Sequence, residues 1–314
     1  MIFLSIAILC GALFAVVFKI CQQHGISTRQ VILYNYITAT LINWIPILFD
    51  VISSGGSSWE NYSLEPSSYL MAMIQGGFFT FGFIVMDIST WRSGVALTTA
   101  AARASLILPV ILSWAILSQP APAWIPVLLV LVALMMIILP NEQQKHNPAF
   151  YRSKSDAVRR RKAALALAGV FLFYGVADFS LKFVQHAAAQ SADPSVLENK
   201  LSALTGAIFL MATLISLVIC IFSKPKVSTS EPPRHPRLKA VIAGILLGAI
   251  NLGCTASMIR GLNQLPTGLF YPLYNIGIVI IATIIGIVIF KEKIKLVQIL
   301  GLLVAIAAIL LFFA

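Results

Sequence analysis

The chain is built of apolar runs about as long as a lipid bilayer is thick, separated by short polar connectors. An α-helix rises 1.5 Å per residue, so roughly 20 apolar residues cross the hydrocarbon core. Ten such runs can be read, at 2–20, 30–50, 69–88, 94–118, 123–140, 163–186, 198–222, 239–260, 266–290 and 295–313. Lipid offers no water to satisfy backbone polar groups, so each run must close its hydrogen bonds within itself as a helix. Composition agrees: of 314 residues 59% are hydrophobic and 11% charged, whereas a soluble domain carries about a quarter charged residues. The expectation is an all-α integral membrane protein with ten transmembrane helices.

The connectors are turn-like, with Ser53-Ser54-Gly55-Gly56 after the second run and Pro120, Pro122 and Pro126 around the start of the fifth. The first run has no basic residue ahead of it and no A-x-A cleavage pattern, so it is expected to stay as a membrane helix rather than act as a signal peptide. Lys and Arg near helix ends remain on the cytoplasmic side. With the amino end outside, 18 of the 22 basic residues fall in cytoplasmic connectors, against Lys182, Lys200 and Arg260 outside and Arg103 within a span. Both termini are therefore expected outside the cytoplasm, and the membrane is expected to be a bacterial inner membrane. The net charge of +11 is spread over these connectors, which fits orientation in lipid and not a nucleic-acid footprint. Cys10, Cys21, Cys220 and Cys254 form no CxxC pair, so neither a zinc site nor a disulfide framework is expected.

The basic stretch ending Arg159-Arg160-Arg161-Lys162 falls at the midpoint. It reads as a cytoplasmic linker over 141–162 between two five-helix halves, 1–140 and 163–314. The halves match in register. Lys19 and Lys182 end each leading helix, each followed three residues on by Gln22 or Gln185, and Ser118-Gln119 lines up with Lys291-Glu292. Five is odd, so the second copy must insert upside down, giving an inverted-topology repeat of the kind from which secondary transporters build a central site.

Charged side chains inside spans are costly, about 2.5–3.5 kcal/mol at a helix centre on insertion scales, and mark candidate sites. Arg103 lies nine residues past Gly94, about 14 Å deep. Asp178 lies within the sixth run, on one face with Tyr174 and Lys182. Two readings stand: a structural ion pair, of Asp178 with Arg103 or with Lys182, or a site in which Arg103 holds an anionic group and Asp178 a proton or cationic group. Asp87, close to Arg92, reads as interfacial. In the ninth run Tyr271, Tyr274 and Asn275 follow i, i+3, i+4 spacing and share a face, suited to stacking and hydrogen bonding with an amphipathic ligand or to ordinary helix packing. Their register partners in the fourth run are Thr98, Ala101 and Ala102, a small-residue wall beside Arg103. Asn35, Asn43 and Asn251 are further amides within spans, either interhelical links or cavity residues. Gly244 and Gly248 make a G-x-x-x-G that fits close packing within the chain or between chains. The Asn61-Tyr62-Ser63 triplet on an outside connector matches a glycosylation acceptor, a pattern common by chance.

The stretch from Leu265 to Phe312 resembles the last two helices of small multidrug resistance proteins and the EamA repeat of the drug/metabolite transporter superfamily. The likeness rests on Leu265-Pro266-Thr267-Gly268, Tyr271, Tyr274, the Lys291-Glu292-Lys293-Ile294-Lys295 turn and Gln298-Ile-Leu-Gly301. It extends more weakly over Ala96 to Pro140 through Trp114-Ala-Ile-Leu-Ser-Gln119. The resemblance implies a ten-helix transporter working by alternating access, with Tyr271 and Tyr274 at substrate-contact positions. It departs at the first helix of each half, where Gly11 and Tyr174 stand in place of the essential Glu of the small multidrug proteins, and at Ser118-Gln119, where the turn lacks its acid. Some larger members are drawn with both termini in the cytoplasm, opposite to the basic-residue count here.

The expected function is secondary active transport of a small metabolite or amphipathic xenobiotic, gradient-coupled because no nucleotide-binding P-loop is present. A sugar or organic-anion permease of the same superfamily and a non-transporting scaffold or receptor are the alternatives. The four histidines, His24, His146, His186 and His235, are scattered, so no enzyme is expected. Nor is a cofactor. The expected partners are a small solute and the bilayer, in a monomer or homodimer.

Overall fold

The computed structural model describes residues 1–23, 26, 28–93, 95–138, 154–190, 193–222, 236–288 and 295–313. Among the described residues the secondary structure is helical, with no strand. In chain order the helices are α1 (Ile2–Gln23), α2 (Thr28–Ser53), α3 (Trp59–Tyr62), α4 (Pro66–Ser93), α5 (Val95–Ala104) and α6 (Ile107–Ile116). They continue as α7 (Trp124–Ile138), α8 (Lys154–Gln190), α9 (Leu197–Phe222), α10 (Pro236–Gln264), α11 (Thr267–Val288) and α12 (Leu296–Phe313).

Among the described residues eight segments are long and apolar enough to cross a membrane, and Ile2–Phe14 and Trp124–Ile138 are shorter apolar helices. Their outward faces carry large apolar stripes at helical spacing: Ile45, Phe49 and Ile52 on α2, Leu214, Val218 and Ile221 on α9, and Leu303, Ile306 and Leu310 on α12. Continuous stripes of this kind are rare on water-soluble monomers and fit hydrocarbon.

The fourth run differs from the single helix expected over 94–118. It breaks at Ser105-Leu106 into α5 and α6. Pro109 supplies the reason: its ring has no N–H to give and crowds the carbonyl four residues back, that of Ser105. Tighter bonds take over, with Leu106 N–H to the Arg103 carbonyl at 3.3 Å and Leu108 N–H to that of Ser105 at 2.9 Å. The stretch expected as a linker is helical from Lys154 onward. Its earlier part, the connector 223–235, the Lys291-Glu292 turn and the side chains of Lys19, Gln22, Arg29 and Asp87 lie outside the described residues.

The helices pack into two compact units, each drawing on both halves of the sequence. One comprises Met1–Thr80 with Phe183–Gln264, the other Phe81–Lys182 with Leu265–Ala314.

In the first unit α10 packs along α1 and α2, and α9 along α2. Small residues let the backbones approach. A Cβ at Gly244 would fall on Tyr34 Cβ, and one at Gly248 would sit 2.5 Å from the Asn35 carbonyl oxygen and 2.6 Å from Thr38 Cβ. The G-x-x-x-G of α10 is thus an intrachain contact with α2. At one end of this seam Cys21, Val31, Ala240 and Leu247 form an apolar cluster with Phe14, Val17 and Tyr34 around it.

In the second unit α7 lies along α12, and α11 meets α6 and α7. Gly301 is the close point, where a Cβ would come 2.8 Å from Ile137 Cγ1. Beside it Gln298 Nε2 donates to the Ile137 carbonyl at 2.9 Å, so one polar side chain is satisfied inside an otherwise apolar pair. All four cysteines are free thiols.

Candidate functional site

The second unit brings most of the expected site residues together, on α5, α8 and α11. Arg103 occupies the last turn of α5, immediately before the break that Pro109 imposes. A cation there faces the carbonyl end of a short helix, which favours it electrostatically. Its Nη1 donates to Asn275 Oδ1 at 3.0 Å, and Asn275 Nδ2 donates to the Tyr271 carbonyl at 3.0 Å. Asn275 is nearly fully buried, while Arg103 is half-buried. The amide therefore uses its carbonyl to hold the guanidinium and its NH2 to fix its own rotamer on α11.

One turn earlier on α11, the fully buried Tyr271 donates its hydroxyl to the backbone carbonyl of Asp178. Tyr174, one turn before Asp178 on α8, donates its hydroxyl to the Gly82 carbonyl of α4 at 3.2 Å. The two phenols nearest Asp178 thus spend their only protons on backbone carbonyls. The Asp178 side chain is half-buried, and among the described residues no hydrogen bond or ion pair engages its carboxylate. Arg103 is close enough to act on Asp178 electrostatically, yet neither closes on the other. Among the described residues no ion pair joins Asp178 to Arg103 or to Lys182. Lys182 is buried.

Tyr274 lies on the same helix, α11. It is half-buried and stacks on Phe270, one turn back on the same helix, with ring centroids 5.9 Å apart and planes inclined by 14°. Thr98 is buried and shares a 2.9 Å hydrogen bond with Ser89 of α4, which makes it a helix link.

The three amides expected as second-rank candidates lie in the first unit. Asn251 Nδ2 on α10 donates to Asn35 Oδ1 on α2 at 3.3 Å, and Asn35 Nδ2, fully buried, has no partner among the described residues. Asn43 Nδ2 donates to the Ser202 carbonyl of α9 at 3.0 Å. Nearby Arg260 of α10 forms an ion pair with Glu198 at 2.7 Å and donates to Ser202 Oγ at 3.0 Å, joining the ends of α9 and α10. These are interhelical links of the kind polar side chains make in lipid.

Two features escaped sequence reasoning. Pro109, which creates the helix end presenting Arg103, was readable as an in-helix proline. The Gly82 and Asp178 carbonyls that occupy the two phenols carry no sequence signal, because any residue offers a carbonyl.

No family model matches the chain. An uncharacterized protein of Haemophilus influenzae is 27% identical over 313 residues, covering 98% of this chain and 95% of its own length. A protein of solved crystal structure superposes with a TM-score of 0.69 at 11% identity, covering 98% of this chain and 94% of that one. At that identity the likeness is one of fold.

Proposed function

We propose that the chain is a secondary transporter that moves a small solute by alternating access, a member of the drug/metabolite transporter superfamily with ten spans in two inverted five-helix repeats. The observation that carries the reading is the pair of half-buried opposite charges, Arg103 and Asp178, each tied to α11 and neither neutralised by an ion pair with the other. Charges so costly in lipid persist where they serve a solute or a coupling ion. The discontinuous α5–α6 segment beside Arg103 supports the same reading, since broken helices present their ends to ligands at transporter sites.

Helix pairing supports the repeat. The register that equates Ser118 with Lys291 makes α6 the counterpart of α11 and α7 that of α12, and likewise α2 that of α9. Each of these pairs is in contact within its own unit. Helices near a pseudo-twofold axis can meet their own counterparts, so these three contacts support the reading of an inverted repeat. Eight long apolar segments among the described residues support the reading, in which the two shorter apolar helices would complete the ten spans.

The test is solute flux in proteoliposomes under an imposed pH gradient, comparing the wild type with Asp178→Asn and Arg103→Gln. Flux of some solute in the wild type that falls at least about tenfold in either variant is expected. A solute transported by both variants at the wild-type rate would remove these residues from the mechanism. An amino-terminal reporter is expected to be active outside the cytoplasm, and activity inside would reverse the orientation.

A further inference from the structure

The second unit carries, on α4 and α8, two exposed apolar stripes that each end in an exposed cation. Two hydroxyls bridge these helices: Ser93 Oγ donates to the Ala163 carbonyl at 3.2 Å, and the Tyr174 hydroxyl to the Gly82 carbonyl at 3.2 Å. The bridged positions are about three turns apart on each helix and follow in opposite order, so α4 and α8 lie antiparallel over about 16 Å. Arg92 directly precedes Ser93 and Lys162 directly precedes Ala163, and both are exposed. Their backbones therefore sit within about 3 Å of the same level. Back along α4 from Arg92 come the exposed Ile88, Ile84 and Phe81, and onward along α8 from Lys162 the exposed Leu165, Leu172 and Val176. At about 100° per residue each set shares a face with its cation. Since the helices are antiparallel, the turn of the helix runs in opposite senses on them and puts both cations on one side of the pair. Gly169 lies on that face of α8, and a Cβ there would meet nothing within 4 Å, so the stripe dips at its middle.

We propose that this face holds one anionic phospholipid, with its phosphate between Arg92 and Lys162 and its acyl chains along the two stripes. The inference does not depend on the transporter reading and requires only that α4 and α8 cross the bilayer. Their apolar segments are Pro66–Thr90 and Arg161–Gln190, so both cations stand where hydrocarbon gives way to headgroups. The stripes run about 16 Å and 21 Å inward from the cations, at least the depth of about 15 Å that one leaflet contributes to the core. Among the described residues neither cation closes an ion pair, so their donors are left for phosphate oxygens, which Arg and Lys both bind. Orientation in the membrane asks only for basic residues on one side. It does not ask that cations from two helices share a level and that each cap a stripe. An acidic protein would meet the cations and not the stripes, which face hydrocarbon.

The experiment uses the purified full-length protein, equilibrated in detergent with equal amounts of dioleoylphosphatidylglycerol and dioleoylphosphatidylcholine, which differ only in headgroup. Native mass spectrometry reads the adducts. In the wild type the anionic lipid is expected to be retained about tenfold or more over the zwitterionic one, since each cation near a lipid surface is worth about fivefold. Arg92→Gln combined with Lys162→Gln is expected to bring the two lipids near parity. Arg161→Gln combined with Lys239→Gln removes the same charge from exposed positions, one on another face of α8 and one on α10 of the first unit, and is expected to keep the preference. Equal retention of both lipids in the wild type, an unchanged preference in the first pair, or an equal loss in the second pair overturns the proposal. Displacement of phosphatidylglycerol by prior incubation with excess inorganic phosphate also overturns it, because the site would then belong to the free anion.

Discussion

Replacing Gly248 with alanine tests the seam between α10 and α2. The new Cβ would lie 2.5 Å from the Asn35 carbonyl oxygen and 2.6 Å from Thr38 Cβ, where carbon contacts settle at about 3.5–4.0 Å. Both obstacles are backbone or β-carbon atoms that no rotamer moves, so α10 must retreat by about 1 Å. Such a gap forfeits a quarter to a half of each contact at about 0.1–0.2 kcal/mol, and about 30 atom pairs along the seam lose roughly 1–2 kcal/mol together. Stretching the Asn251–Asn35 hydrogen bond, already 3.3 Å, adds about 0.6 kcal/mol. Alanine in place of glycine returns up to about 1 kcal/mol of helix propensity. The control cancels that last part: Gly169 on α8 has nothing within 4 Å of its prospective Cβ, so Gly169→Ala gains the propensity alone. Equilibrium unfolding of both variants in mixed micelles should therefore separate them by about 2 kcal/mol, with Gly248→Ala the weaker. Equal midpoints for the two variants would refute the packing argument. A Gly248→Ala protein of unchanged stability but lost dimer would return the G-x-x-x-G to an interface between chains.

Ser118 follows α6 with φ near 51°, a left-handed conformation that costs a non-glycine residue about 1 kcal/mol. Ser118→Gly should raise the unfolding midpoint by a corresponding small amount, and a lower midpoint would show that the serine side chain matters more than the backbone. Asn275→Ala removes the partner that the Arg103 guanidinium has among the described residues and should cost about 1–3 kcal/mol in the same unfolding assay, whereas Asn275→Asp, which keeps an acceptor, should cost less. An Asn275→Ala protein as stable as the wild type would mean that the guanidinium needs no partner on α11. Outside the spans, the Ser195 N–H and hydroxyl both donate to Asp193 Oδ1 at 2.8 Å and hold its carboxyl below the usual range. A carboxyl lowered on folding stabilises the turn above its unfolded pKa and ceases to do so as pH falls through the folded one. The protection factor of the Ser195 amide should fall on acidification through that window, and a pH-independent one would contradict the bond.

Hydrophobic run length located the eight long apolar segments found among the described residues to within a few residues, because lipid thickness dictates the length of a helix and leaves the chain no alternative hydrogen-bonding partner. It missed the break in the fourth run for a local reason. A window average registers Pro109 as one residue among many, whereas the backbone registers it as a missing donor and a steric block. The candidate site shows a similar division. Arg103 and Asp178 announced themselves by their cost in lipid, and Tyr271 and Asn275 by their shared face. Their roles did not follow from that face. Asn275 turned out to hold the guanidinium, Tyr271 to hold a backbone carbonyl, and Tyr274 to stack on Phe270. The amides at 35, 43 and 251 went to a different packing unit altogether.

What the sequence determined alone is that the chain is helical and fit for lipid, and which charged residues fall within its apolar runs; these depend on transfer energies and periodicities that each segment expresses by itself. Tertiary structure decided which donor meets which acceptor. It tied Arg103 and Asp178 to successive turns of α11 and left them apart, because a hydrogen bond is specified by distance and angle between atoms far apart in the chain, and no local pattern encodes those.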